Sequence, residues 1–267
     1  MFLVACTCHV PASYKTKSAE IQDWITLYHH PLELHLSKAA GSDKNGVLVV
    51  YATGDGGWLG LGEQIFEWIS SWNYPVVGFS SRDYLKHLEY AGDPTTPHRL
   101  VRDFKAIITF AEQRLGMQQS TRIILVGLSR GAGLAVVAAG EGELESRLGG
   151  VIAVALTKEE EHVVHYSKSR LFLPDQPKQE LVQIQTYEYL PRISSVPVVV
   201  IQSTNDNYLP AGAARVLFGP DTRLKKLLSI EAKNHRFAGG CSDLYKEAET
   251  AMNWIHSVGR STQEKIR

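Results

Sequence analysis

The stretch Arg122-Ile-Ile-Leu-Val-Gly-Leu-Ser-Arg-Gly131, continued by Ala132-Gly-Leu-Ala-Val-Val137, decides the reading of this chain. An apolar run of strand length enters Gly127-x-Ser129-x-Gly131 and leaves it as a series of small residues with helical character. A serine on so tight a strand-to-helix turn holds its hydroxyl exposed, and glycines on either side remove side chains that would collide there. The start of the following helix aims backbone N–H groups at the place where an oxyanion would form beside that serine. The competing reading of the same residues is a structural turn with a capping serine.

A serine hydroxyl is a weak nucleophile and needs a base, itself oriented by a third group. Of the ten histidines, His235 stands in Lys233-Asn-His-Arg-Phe-Ala-Gly-Gly240, a loop between the last strand and the last helix of the pattern. Asp206 stands in Ser203-Thr-Asn-Asp-Asn-Tyr-Leu-Pro210, just after an apolar strand. The order Ser129, Asp206, His235 is that of the nucleophile-elbow hydrolases, and each residue falls at the carboxyl end of a strand. Glu159 to Glu161 and Asp221 are alternative acids. The oxyanion hole also needs an N–H from the loop after an earlier strand. Val47–Ala52 runs into Thr53-Gly-Asp-Gly-Gly-Trp58, where glycines allow close backbone approach. The expected donors are Arg130 together with Gly56 or Gly57. Trp58 is either a pocket wall or a packing residue.

Around these points strands and helices alternate. Strand patterns cover Val47–Ala52, Pro75–Ser80, Arg122–Gly127, Val151–Leu156 and Val196–Gln202, with a weaker one at Lys226–Glu231. Unbroken Val, Ile and Leu runs suit strands buried on both faces of a parallel sheet. Helical spacing covers Leu61 to Trp72 and Pro97 to Leu115, and further helices are expected after Ser129, Pro210 and Cys241. Leu32 to Leu36 alternates with period two and predicts an antiparallel edge strand. The fold class is therefore α/β, with a mostly parallel sheet and helices on both faces. The reading places an N-terminal segment over 1–30, a single domain over 31–260 and a polar tail over 261–267. Within the domain, the long interval from Thr157 to Ser195, after the strand ending near Leu156, is expected to be a lid or binding segment.

Composition sets the outer bounds. The 267 residues carry 28 basic and 28 acidic side chains, for a formal net charge of zero, with 44% hydrophobic residues. That balance argues against a nucleic-acid partner, and against disorder or coiled coil. No run of apolar residues reaches membrane-spanning length. The Gly-rich loop lacks both the Gly-Lys-Ser/Thr ending and the Gly-x-Gly-x-x-Gly pattern, and no cofactor is expected. Cys6, Cys8 and Cys241 are too few for a disulfide framework or a cysteine metal site. His162 and His165 could share a helix face but lack a firm third ligand, so no metal is expected. Met1 to Cys6 resembles the end of a lipoprotein signal, although the apolar stretch before Cys6 is short for one.

Gly54-Asp-Gly-Gly-Trp58, Pro75-Val-Val-Gly-Phe-Ser-Ser-Arg-Asp-Tyr84 and Gly127-Leu-Ser-Arg-Gly131 together resemble the VirJ/AcvB-like family of bacterial virulence proteins, over about Gly46 to His256. The resemblance implies an α/β-hydrolase fold and a periplasmic protein, lipid-anchored if Cys6 is modified, with the cytoplasm as the alternative. It also implies cleavage of the aminoacyl ester of lysyl-phosphatidylglycerol. Arg130 departs from the apolar or aromatic residue expected inside the elbow, and the His235 loop matches the family only loosely. For such a substrate Asp55, Trp58 and Glu159 are the expected binding residues, the acidic run at Glu159 facing a cationic headgroup. Arg130 would oppose a cation or hold a lipid phosphate.

The function expected is a serine-dependent ester hydrolase acting on a small-molecule or lipid ester, with peripheral membrane association. The alternatives are a small-ester carboxylesterase or peptidase, and a non-catalytic protein that binds secretion-system partners.

Overall fold

In a computed structural model of the chain, the structure is described for residues 20–27, 29–40, 46–90, 96–118, 121–162 and 182–264. Among these, ten strands and six helices follow one another. They are β1 Glu20–Leu27, β2 His30–Ser37, β3 Val47–Ala52, α1 Leu61–Ser71, β4 Val76–Phe79, α2 Ser81–Tyr90, α3 Pro97–Leu115 and β5 Arg122–Leu128. Then come α4 Arg130–Gly140, β6 Leu148–Val154, β7 Glu159–His162, β8 Val182–Gln185, β9 Val198–Ser203, α5 Ala211–Phe218, β10 Lys225–Ile230 and α6 Cys241–Glu264. Eight strands form one sheet in the order β1-β2-β4-β3-β5-β6-β9-β10. From β4 to β10 the pairing is parallel, while β1 and β2 close the other side antiparallel.

Strand periodicity divides the core between two faces. Leu48, Val50 and Ala52 of β3 join the cluster that contains Phe104 and Ile108 of α3 and Leu134 of α4. Val47, Val49 and Tyr51 join the cluster that contains Phe66 of α1 and Met252 of α6. Both faces are thus covered, and each Val, Leu or Ile so buried contributes ~1.5–3 kcal/mol relative to exposure. The helix α3 starts at Thr96, whose hydroxyl accepts from Arg99 N at 3.2 Å, has Pro97 in its first turn, and stops at left-handed Gly116 (φ 69°).

Several expectations are corrected. The sheet begins at Glu20, ahead of the domain boundary placed at residue 31, because β1 pairs along its full length with β2. The strand over Leu32–Leu36 is antiparallel, but it lies second in the sheet instead of at its edge. The strand expected from Val151 starts earlier, at Leu148, and takes in Gly149 and Gly150. A Cβ on Gly150 would stand 2.5 Å from Ile255 of α6, so the helix packs there only over a bare backbone. The helix α2 was not foreseen, and α6 runs through Gly259 to Glu264, into the segment expected to be a polar tail.

In the interval from Thr157 to Ser195, β7 and β8 pair antiparallel, and two short 3₁₀ turns, Thr186–Glu188 and Leu190–Arg192, follow them. The middle of that interval, with His165, lies outside the described residues, as do Cys6 and Cys8. Among the described residues no helix is long and apolar enough to cross a membrane, and no group of three His, Cys, Asp or Glu could hold a metal ion.

Candidate active site

The turn from β5 into α4 places Ser129 at φ 52° and ψ −117°, a backbone region that a non-glycine residue enters only when its surroundings hold it there. Those surroundings are backbone. A Cβ on Gly127 would stand 2.1 Å from Gly131 O, and one on Gly131 would stand 2.1 Å from Ala52 O. The two glycines of the motif are therefore fixed by close approach within the elbow and of the elbow to β3. Ser129 N donates to Val154 O of β6 at 2.8 Å, which ties the turn to the strand on its other side.

Asp206 and His235 meet this serine. His235 Nε2 lies 2.7 Å from Ser129 Oγ, and His235 Nδ1 lies 2.7 Å from Asp206 Oδ2. The carboxylate of Asp206 is buried, and all of its visible capacity is used. Oδ1 accepts Tyr208 N at 2.8 Å and Leu209 N at 3.2 Å, while Oδ2 also accepts Gln202 Nε2 at 3.0 Å. The His235 loop is rigid for local reasons. Asn234 Oδ1 accepts the N–H groups of Arg236 and Ala238, and Phe237, at φ 56°, is fully buried in the core. The Tyr208 ring stands edge-on to the imidazole at 4.7 Å and is 73% exposed, so it covers the histidine on the solvent side.

The glycine loop flanks the serine. Gly54 comes so near that a Cβ there would stand 3.1 Å from Ser129 Cβ. Of the expected oxyanion donors, Arg130 is the first residue of α4, where a helix leaves N–H groups unused within itself. Gly57 is corrected: its N–H closes the turn onto Gly54 O at 2.9 Å and points away from that role. Gly56 remains within the turn. The Asp55 carboxylate is not an open receptor, because Arg130 Nε donates to its Oδ1 and Arg130 Nη2 to its Oδ2 at 3.2 Å.

Trp58 is also corrected as a binding residue. It stacks flat on His35 of β2 (3.7 Å, 9°), meets Phe66 edge-on at 5.1 Å, and fills the space where Gly78 has no side chain. Glu159 is engaged in its own hairpin. Hydrogen bonds from Gln185 and Lys158 hold its carboxyl below the usual range, and Lys158 Nζ lies 3.3 Å away. Among the described residues no hydrogen bond or ion pair joins Glu159 to Ser129, Asp206 or His235. Asp221, an alternative acid, pairs with Arg215 at 2.5 Å.

Residues that the sequence did not single out complete the surroundings. Gln202 lies at the end of β9 and bridges Asp206 to Leu209 O (2.7 Å). Tyr187 is buried, and its phenol is pushed up first by burial and then by the charge of Asp206. Arg82 lies against Gly57, its Nη2 2.8 Å from where a Cβ would be. Tyr84 is buried and donates to Asp103 at 2.9 Å.

A model of the family described as bacterial virulence protein (VirJ) matches residues 46–185, more than half of the chain. No curated protein sequence matches. Est1E from Butyrivibrio proteoclasticus is 12% identical, with 88% of this chain and 99% of that one covered at a TM-score of 0.63. The esterase Pf2001 from Pyrococcus furiosus is 14% identical, with 89% of each chain covered at 0.57. An alpha-beta serine hydrolase homologue from Coxiella burnetii is 15% identical, with 85% and 94% covered at 0.56. These likenesses show the α/β-hydrolase fold.

Proposed function

We propose that this chain, which belongs to the VirJ family of bacterial virulence proteins, is a serine hydrolase that cleaves an ester through an acyl-enzyme on Ser129. The observation that carries this reading is the unbroken hydrogen-bonded series from Asp206 through His235 to Ser129, each link 2.7 Å. Ser129 Oγ forms a bond to the ester carbonyl carbon while His235 Nε2 takes its proton. The charge on the carbonyl oxygen falls at the start of α4, where Arg130 N–H stands. Collapse breaks the ester C–O bond, and His235 gives the proton to the departing alkoxide. Water then attacks the acyl group, with His235 again taking the proton, and Ser129 leaves protonated. Asp206 holds the imidazole in the tautomer with the proton on Nδ1 and stabilises its cationic form.

The substrate class we favour is an aminoacyl-phospholipid such as lysyl-phosphatidylglycerol, from the family resemblance of the motifs around the site. Exposed Leu59 and Tyr208, at 70% and 73%, suit contact with a lipid surface. The same family resemblance favours a periplasmic location.

Labelling with a fluorophosphonate tests the chemistry: the native protein reacts, and Ser129→Ala and His235→Ala do not. A folded native protein that fails to label overturns the hydrolase reading. Release of lysine from lysyl-phosphatidylglycerol vesicles, abolished by Ser129→Ala, tests the substrate. Labelling without that release would leave a hydrolase of another ester.

A further inference from the structure

Arg130 stands between Ser129 and Gly131 inside the nucleophile elbow, and Asp55 between Gly54 and Gly56 inside the glycine loop. Neither charge is explained by the hydrogen-bonded series on Ser129. The two side chains nevertheless face each other in a forked pair, Nε to Oδ1 and Nη2 to Oδ2. A fork of this kind fixes direction as well as distance, because the guanidinium is planar and presents parallel donors. The Arg130 side chain is 23% exposed and Asp55 63%, so the pair sits at the mouth of the site.

Asp55 is a central residue of the turn that Gly57 N closes onto Gly54 O. Toward the elbow the turn makes close contact, Gly54 against Ser129 and the Ala52 and Thr53 carbonyls against Gly131, while Thr53 N just before it is bonded to Phe79 O. Such contact limits approach but does not stop the turn from swinging outward. The ion pair opposes that motion from the solvent side.

We infer that Asp55 and Arg130 are positioning residues of the oxyanion hole, the Arg130 side chain holding in place the loop that supplies the N–H complementary to its own. The inference rests on the hydrolase reading for its consequence in catalysis, but not for its physical content. One residue thereby serves both halves of the hole: its main chain is the first donor, and its guanidinium sets the position of the second. A hydrogen-bond donor displaced by about an ångström can cost on the order of a hundredfold in rate.

The test uses the full chain with Asp55→Asn, Arg130→Lys and the reversed pair Asp55→Arg/Arg130→Asp. Hydrogen exchange of the peptide spanning Gly54–Trp58 is read first, since it needs no turnover. It should accelerate at least tenfold in each single variant and slow again in the reversed pair. Exchange at the native rate in Asp55→Asn and Arg130→Lys overturns the inference, whatever the enzyme does. With the uncharged ester p-nitrophenyl acetate, kcat should fall roughly ten- to hundredfold in the single variants, KM staying within about twofold. Loss confined to KM for a charged aminoacyl ester, with kcat on the neutral ester intact, would make the pair a substrate-charge receptor and overturn positioning. Failure of the native protein to turn over any ester or to label at Ser129 would instead sink the hydrolase reading, leaving the exchange result to decide this one.

Discussion

Gln202 donates its amide to the same oxygen of Asp206 that His235 uses, at 3.0 Å and 2.7 Å respectively. The carboxylate is therefore held from β9 itself as well as by the N–H groups of the loop that follows. Gln202 is wholly buried, and its other amide hydrogen goes to Leu209 O at 2.7 Å. Replacing it by Met keeps the volume and removes both donations. Gln202→Met should lose ~1–3 kcal/mol of stability, as buried acceptors are left without partners, and should lower kcat about tenfold by freeing Asp206. Urea unfolding and initial rates on one ester check both; an unchanged rate would mean that the loop N–H groups alone fix the carboxylate.

The contact between Gly131 and β3 sets a sharper expectation. In Gly131→Ala the added carbon would meet two carbonyl oxygens, at 2.1 and 2.4 Å, and neither strand nor helix can move independently of the sheet. A loss above ~4 kcal/mol is expected, the range reserved for strained or overpacked sites. Gly212→Ala, in α5 with nothing near its would-be Cβ, should instead gain up to ~1 kcal/mol from helix propensity. Thermal unfolding of the two variants side by side distinguishes local crowding from a general intolerance of substitution.

Trp58 lies in the same loop as the expected oxyanion donors, yet its ring belongs to the sheet. Trp58→Ala should cost about 3 kcal/mol, while Trp58→Phe should recover most of that through the contacts with His35 and Phe66. Neither change should alter KM for a small ester, because the ring faces β2 and β4. A KM effect without a stability effect would return Trp58 to the pocket.

Two buried phenols give the alkaline behaviour a definite sign. Burial raises the pKa of Tyr51, whose hydroxyl donates to Gly62 O, and burial together with Asp206 raises that of Tyr187. In the unfolded chain both titrate near 10. Above that pH the folded state holds more protons than the unfolded one, so stability falls as pH rises, by up to ~1.4 kcal/mol per pH unit for each tyrosine. Below it the contribution is fully present. Tyr187→Phe should flatten this decline by about half in urea melts between pH 9 and pH 11.

How far the sequence discloses this molecule depends on whether a residue answers to local or distant neighbours. The strands β3 and β5 are legible because burial on both faces leaves an unbroken apolar run, and α3 because Pro97 and Gly116 punctuate it. The strand β1 is not, because Asp23 points along the inward set to pair with Arg114 while Trp24 faces solvent at 55% exposure. Its alternation is inverted at the centre. The helix α2 starts on a serine cap, Ser80, whose hydroxyl accepts from Asp83 N, in a stretch of sequence rich in charge. At the site, Ser129, Asp206 and His235 can be picked out by residue type and chain order. The Asp55–Arg130 pair and Gln202 cannot, since each acquires meaning only from a partner that the sheet brings beside it.

Ser129 and His235 are 106 positions apart, and the histidine follows β10, which among the described residues pairs only with β9. The strands that flank the elbow, β3 and β6, both precede the base in the chain. A chain arrested before residue 235 would thus carry a shaped but inert serine. On the hydrolase reading, labelling of Ser129 by an electrophile would therefore report that the segment carrying β10 and His235 has taken its place beside the elbow.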